Sequence, residues 1–93
     1  MRMTSDPVLV MTPKIMPVAQ GSPVDLWCSG DFPGNVMYEF IEHDCGRSRV
    51  VQSGSSDTFD LPSVQESAVY TCSVTCGGLE YTSREVTVTV VGK

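Results

Sequence analysis

The chain has 93 residues, with eleven acidic and six basic side chains and a formal net charge of −5 at pH 7. This length fits one domain with a thin core. The negative charge, with no basic cluster to offset it, argues against nucleic-acid binding. No apolar run approaches the roughly 18 residues that a membrane-spanning helix needs. The four cysteines lack metal-site spacing. They indicate disulfides, and therefore an oxidising, extracellular compartment reached through the secretory pathway.

Short apolar stretches with period-two alternation are separated by turn residues along the whole chain. The pattern predicts a first strand over residues 7–11 that is broken at Pro13 and resumes over 15–19, followed by strands over residues 24–28, 36–42, 49–52, 57–61, 68–75 and 81–91. Six prolines and eight glycines interrupt the chain, and no segment keeps a helical period. About seven short strands with frequent turns predict an all-β fold, an antiparallel β-sandwich. We expect residues 1–93 to form a single domain cut from a longer polypeptide.

One cysteine pair lies where two strands meet across the core of such a sandwich. Cys28 shares an inward face with Leu26 on strand 24–28, and Cys72 shares one with Val74 on strand 68–75. A disulfide between Cys28 and Cys72 closes a long loop and contributes roughly 4 kcal/mol in the chain-entropy model. Tyr70, two residues before Cys72, matches a tyrosine corner, whose hydroxyl bonds to backbone at the preceding bend.

Several segments are similar to one broad group of receptors. The segment QGSPVDLWCSG, residues 20–30, resembles the entry to the second strand in leukocyte immunoglobulin-like receptors. The segment VMYEF, residues 36–40, resembles the tyrosine–x–phenylalanine strand of those receptors and of Fc receptor-like proteins. FDLPSV, residues 59–64, and residues 70–72 fit both groups. The similarity spans nearly the whole chain and implies an immunoglobulin-like sandwich of the short constant or intermediate type.

Two departures favour the Fc receptor-like side of this group. Phe40 stands where many immunoglobulin-like domains carry a core tryptophan, as in the Fc receptor-like pattern. The Trp-Ser-x-Pro-Ser signature of leukocyte and killer-cell receptors is replaced by EYTS at residues 80–83.

The resemblance implies a protein-binding ectodomain module of a membrane-anchored immune receptor. Its parent chain would carry adjacent immunoglobulin-like domains, and its ligand would be immunoglobulin or a class I histocompatibility molecule. The alternative is an adhesion or spacer module with homophilic contacts, since adhesion receptors of the platelet–endothelial kind share the Tyr-x-Phe strand.

The remaining cysteines, Cys45 and Cys76, do not fit this arrangement easily. They are the two that remain once Cys28 is paired with Cys72, so elimination would join them in a second disulfide. If Phe40 lies beside Cys72 on an antiparallel strand, however, the two thiols lie roughly 30 Å apart, against a disulfide reach of about 7 Å between Cα atoms. Three arrangements stay open at this point: a disulfide made by an unusual fold of the strand 36–42 turn, thiols that are free or bonded to another chain, and a zinc site. The zinc site has neither C-x-x-C spacing nor neighbouring ligands to support it.

No set of residues predicts catalysis, a metal or a cofactor. His43, Asp44 and Cys45 are consecutive, and consecutive residues on an extended chain point to opposite faces. They cannot converge as base and nucleophile. The carboxylates are scattered, with no pairing for acid–base work. We therefore expect no enzymatic activity.

Binding residues are expected on one strand face and in two loops. Alternation turns every second residue of strand 36–42 outward, and loops 31–35 and 77–80 meet at one end of the sandwich. We interpret Trp27, which faces outward, as a plug at an interdomain contact. The candidates for protein binding are Met37, Glu39, Ile41, Phe32 and Leu79.

Overall fold

A computed structural model describes residues 6–32 and 36–92 of the chain. Its strands are β1 (Val8–Thr12), β2 (Val18–Ala19), β3 (Val24–Ser29), β4 (Met37–Asp44), β5 (Arg47–Gly54), β6 (Thr58–Leu61), β7 (Ala68–Cys76), β8 (Leu79–Thr82), β9 (Val86–Val88) and β10 (Val90–Val91). Within these ranges no helix is long and apolar enough to cross a membrane.

The strands form two main sheets that enclose one core. The first sheet has the order β1-β3-β6, and the second has the order β5-β4-β7-β8 with β9 also paired to β7. All pairs within these two sheets are antiparallel. Because alternate residues of each strand face the other sheet, the predicted all-β sandwich is confirmed.

The first predicted strands differ from the structure in one respect. The segment predicted over residues 15–19 is reduced to β2, which pairs parallel with β10. Pro13 and Pro17 lack the N–H that would extend the ladder. Backbone bonds from Val18 N to Thr89 O and from Gln20 N to Val91 O, each 2.9 Å, join the terminal strands instead. The sandwich is therefore antiparallel except for this pair.

The last predicted strand, residues 81–91, is divided into parts of β8, β9 and β10, and Ser83 lies in the first break. The Ser83 hydroxyl accepts a hydrogen bond from Cys72 N at 2.9 Å and donates one to Arg84 O at 2.9 Å. Ser83 N also donates to Cys72 O at 2.8 Å. The buried side chain thus replaces one step of the ladder, and the strand resumes as β9.

The core contains the disulfide between Cys28 and Cys72, whose Cα atoms are 6.1 Å apart. Phe40 lies opposite Cys72 in the β4–β7 register and has no exposed surface. Its ring stacks on Phe59 with 5.6 Å between ring centroids. The predicted core residues Leu26, Phe40 and Val74 are buried, and the core as a whole comprises Leu9, Val18, Val24, Leu26, Cys28, Phe40, Val64, Tyr70, Cys72, Val74 and Val88.

A disulfide between Cys45 and Cys76 does not form in this fold, so pairing by elimination was wrong. Cys45 follows β4 in the turn to β5, and Cys76 ends β7. Since Met37 at the start of β4 lies opposite Thr75, the two cysteines lie at opposite ends of the paired strands, about 30 Å apart at 3.3 Å per residue. Cys45 is exposed, and it is the one non-glycine residue in the described ranges with a positive φ, 50°.

Candidate functional site

The larger sheet presents an outer face on the side away from the core. Phe40 points inward, so its neighbours along β4 point outward, and residues directly opposite them on β5, β7 and β8 share that side. We call these outward residues the outer face. It comprises Met37, Glu39, Ile41, His43, Ser48, Val50, Ser53, Val69, Thr71, Ser73, Thr75, Glu80 and Thr82.

Two apolar side chains of the outer face are open to solvent. Met37 is 52% exposed and Val50 is 50% exposed. Val50 lies directly opposite Ile41, which is half-buried, although the pairing of β4 and β5 shifts by one residue between Phe40 and Ile41. This β-bulge brings Val50 to the outer face and lets Val51 pack against the core.

Polar side chains cover the β7 part of the outer face. The Ser73 hydroxyl donates to Glu80 Oε2 at 2.7 Å, and Thr71 Oγ1 lies 2.9 Å from His43 Nε2. Ser73 and Thr71 therefore face outward, as their register requires, yet both are buried beneath these longer neighbours. Apart from the exposed Thr75 of β7, the side chains most open to solvent on this face belong to β4, β5 and β8.

His43 contacts two hydroxyls, a feature the sequence did not predict. Its Nδ1 lies 2.8 Å from Ser48 Oγ, and its Nε2 faces Thr71. Both ring nitrogens are thus engaged by hydroxyls, whereas a catalytic triad needs a carboxylate on one of them. Asp44 lies on the opposite side of β4, as alternation requires. The two hydroxyls hold the imidazole against the sheet, and neither contact is with a carboxylate that could orient it as a catalytic base.

The two loop candidates lie at the end of the sandwich where β7 turns into β8. Leu79, opposite Cys76 in this hairpin, is 61% exposed. Phe32 instead packs against the core, with its ring centroid 5.7 Å from that of Tyr81. A Cβ at Gly30 would lie 2.2 Å from the Phe32 ring, so glycine is what lets the ring lie there. Phe32 is therefore turned toward the core, whereas Leu79 is open to a partner.

Tyr70 belongs to a charged cluster at the other end of the sandwich. Its hydroxyl donates to Glu42 Oε2 at 3.3 Å, so the predicted bond to backbone was wrong. Glu42 also accepts from Arg49 at 2.7 Å. Burial, followed by the charge of Glu42 and this hydrogen bond, raises the pKa of Tyr70 to about 12. The cluster joins β4, β5 and β7 at the sandwich end.

The outer side of the smaller sheet carries a second apolar surface. Trp27 is 48% exposed, and its indole N–H donates to Asp57 Oδ2 at 3.2 Å. It lies opposite Val10 on β1, two residues from Val8, which is 60% exposed. The indole is therefore held in place beside apolar neighbours, as a contact with another domain or chain would require.

Two opposed carboxylates lie on the same side of this sheet. Asp25 and Asp60 are directly opposite each other on β3 and β6. Desolvation, a hydrogen bond with Asp60 and the charge of Asp60 raise the pKa of Asp25, although this residue is exposed. Across the described ranges, no group of three or more histidine, cysteine, aspartate and glutamate side chains is placed to hold a metal ion.

Two packed sheets joined by a disulfide between the second strand and the Tyr-x-Cys strand define an immunoglobulin-like sandwich. The family model described as immunoglobulin domain matches residues 6–90, so the chain belongs to the immunoglobulin domain family. No curated protein sequence matches the chain. Domains of this family are typically non-enzymatic, and the internal disulfide is characteristic of extracellular domains.

Sequence reasoning placed Met37, Glu39 and Ile41 on one strand face, but it missed Val50 and Glu80. Val50 could not be placed because its side depends on the bulge in β5, which no residue of the segment signals. Glu80 could have been found by continuing the alternation from Thr82 back through the hairpin turn.

Proposed function

We propose that this domain is an extracellular protein-binding module of an immune-type cell-surface receptor of the Fc receptor-like kind. Its ligand is immunoglobulin or a class I histocompatibility molecule, and its parent chain carries further immunoglobulin-like domains and a membrane anchor. Membership of the immunoglobulin domain family and the internal disulfide support an extracellular module. The similarity of the strand 36–40 and strand 68–75 segments to receptor domains supports the receptor class.

The exposure of Met37 and Val50 on the outer face carries this proposal. A sheet face that needed only to be soluble would turn polar side chains outward, but these two are half exposed. Methionine adapts its shape to a partner, and apolar contacts among polar side chains are common in protein interfaces. The partner therefore docks on the outer face, with Met37 and Val50 as its apolar contacts.

A surface-based binding assay with immunoglobulin G and with class I molecules tests the ligand and the site together. Met37→Asp and Val50→Asp each place a charge in the contact and lower affinity about tenfold or more, as central interface residues do. Ile15→Asp is the matched control, because Ile15 is 83% exposed and lies outside the outer face. If the unmodified domain binds neither protein, the proposed ligands are wrong. An equal loss in Ile15→Asp contradicts the location.

The alternative is an adhesion or spacer module, and the surface around Trp27 favours it. The indole and Val8 form an exposed apolar surface on the smaller sheet, which suits a contact with a second copy or an adjacent domain. Sedimentation over a range of concentrations distinguishes the homophilic form. Self-association that Trp27→Ser abolishes supports it, whereas a strict monomer at high concentration removes it.

A further inference from the structure

We infer that the partner of the outer face presents an apolar pocket for Met37 with lysine or arginine side chains beside it. The inference rests on the outer face being the binding site, as proposed above. It adds the chemistry of the partner.

The charge of the outer face is one-sided. Its ionisable side chains are Glu39, Glu80 and His43, and neither lysine nor arginine occupies an outward position in the described part of β4, β5, β7 and β8. The two arginines of β5, Arg47 and Arg49, lie opposite Asp44 and Glu42 on the other side of the strand, and Arg49 pairs with Glu42. The whole chain also carries a net charge of −5. A basic partner surface is therefore attracted, and a second copy of the same face is repelled.

The strand register places both glutamates beside Met37. Glu39 follows Met37 by two positions on β4, a step of about 7 Å along the strand. The backbone of Glu80 lies in the same cross-strand row as Met37, through Thr75, which is a step of about 10 Å across two strand spacings. The Glu80 carboxylate reaches Ser73, which lies directly opposite Glu39, so it leans toward the Glu39 row. A partner that accepts the thioether therefore meets both carboxylates on the Glu39 side of Met37.

One of the carboxylates is held before any partner arrives. Ser73, only 1% exposed, donates its hydroxyl hydrogen to Glu80 Oε2 at 2.7 Å. The bond fixes one carboxylate oxygen toward the sheet and leaves the other available to a donor from outside. Holding the side chain in this way reduces the entropy that a salt bridge otherwise loses on binding.

A phage library of random peptides, selected on the unmodified domain, tests the chemistry without a known ligand. Binders that persist on a Met37→Ala/Val50→Ala variant are discarded, so that the remaining peptides contact the outer face. We expect these peptides to carry two or more lysine or arginine residues around an apolar residue. Two exposed ion pairs of about 0.5 kcal/mol each predict a roughly fivefold loss of affinity in Glu39→Gln/Glu80→Gln at low ionic strength.

The control variant, Asp60→Asn/Glu66→Gln, removes the same charge from positions outside the outer face and should keep the affinity of these peptides. Outer-face peptides that are neutral or acidic, or basic peptides that bind both double variants equally, would overturn the inference and leave the proposed site intact. If no peptide depends on Met37 and Val50, the proposed site fails and this inference fails with it.

Discussion

Replacing Phe40 by alanine tests whether this side chain fills the central core position that tryptophan occupies in many immunoglobulin-like domains. Phe40 has no exposed surface, lies opposite Cys72 and stacks on Phe59 at 5.6 Å. Truncation of a buried phenylalanine removes its contacts and leaves a cavity, which costs about 3–5 kcal/mol. A domain of this size has about 5–14 kcal/mol of stability in total. Phe40→Ala should therefore remove about a fifth or more of the unfolding free energy.

Guanidinium unfolding followed by far-ultraviolet circular dichroism, without reductant, measures this loss. Phe40→Leu, which keeps most of the volume, is the matched control and should cost below about 1.5 kcal/mol. The double mutant with Phe59→Ala should show a coupling of about 0.5–1.5 kcal/mol, because stacked aromatic rings interact beyond their buried area. A loss below about 1.5 kcal/mol in Phe40→Ala, with no coupling to Phe59, would refute this account of the core.

Three further predictions concern titration and reactivity. The folded pKa of Tyr70, about 12, lies above its ordinary value near 10, so its contribution to stability is complete below about pH 10 and is lost as the pH rises toward 12. Unfolding curves measured between pH 10 and 12 should show that the unfolding free energy of Tyr70→Phe depends less on pH than that of the unmodified domain. An equal pH dependence in both proteins would contradict the raised pKa of Tyr70. The raised pKa of Asp25 means that its stabilising contribution is present below about pH 4 and lost as the pH rises. Asp25→Asn should therefore raise Tm at pH 7 more than at pH 3 in a thermal melt, and an equal change at both pH values would refute the shift. The hydrogen bond and charge of Asp44 raise the pKa of the Cys45 thiol. Timed alkylation at pH 8 with peptide mapping should find Cys45 modified faster in Asp44→Asn, whereas equal rates would rule out this influence.

The core and the disulfide could be predicted because period-two alternation determines which side a residue faces. Val24, Leu26 and Cys28 alternate with charged or exposed residues, and all three are buried. The same phase on β4 and β7 correctly placed Phe40 beside Cys72. For these strands, local sequence and the buried face require the same register, and a shift by one residue would expose every apolar side chain.

The remaining features depend on contacts that local patterns do not encode. The bulge in β5 that turns Val50 outward is a response to packing between strands. Ser83 interrupts the last strand because its hydroxyl reaches Cys72 N on β7, a partner eleven residues away in sequence. Tyr70 bonds to Glu42 because β4 and β7 place them directly opposite each other. Each feature is set by the register of two strands, which alternation within one strand leaves undetermined.

The parallel pairing of β2 with β10 determines how the domain responds to a pulling force. A force that draws the two ends of the chain apart slides parallel strands along each other. The bonds from Val18 N to Thr89 O and from Gln20 N to Val91 O are then loaded together and must break together. An antiparallel pair joined by a hairpin and pulled at its open end would separate one bond at a time. The short terminal ladder therefore acts as a mechanical clamp on the sandwich.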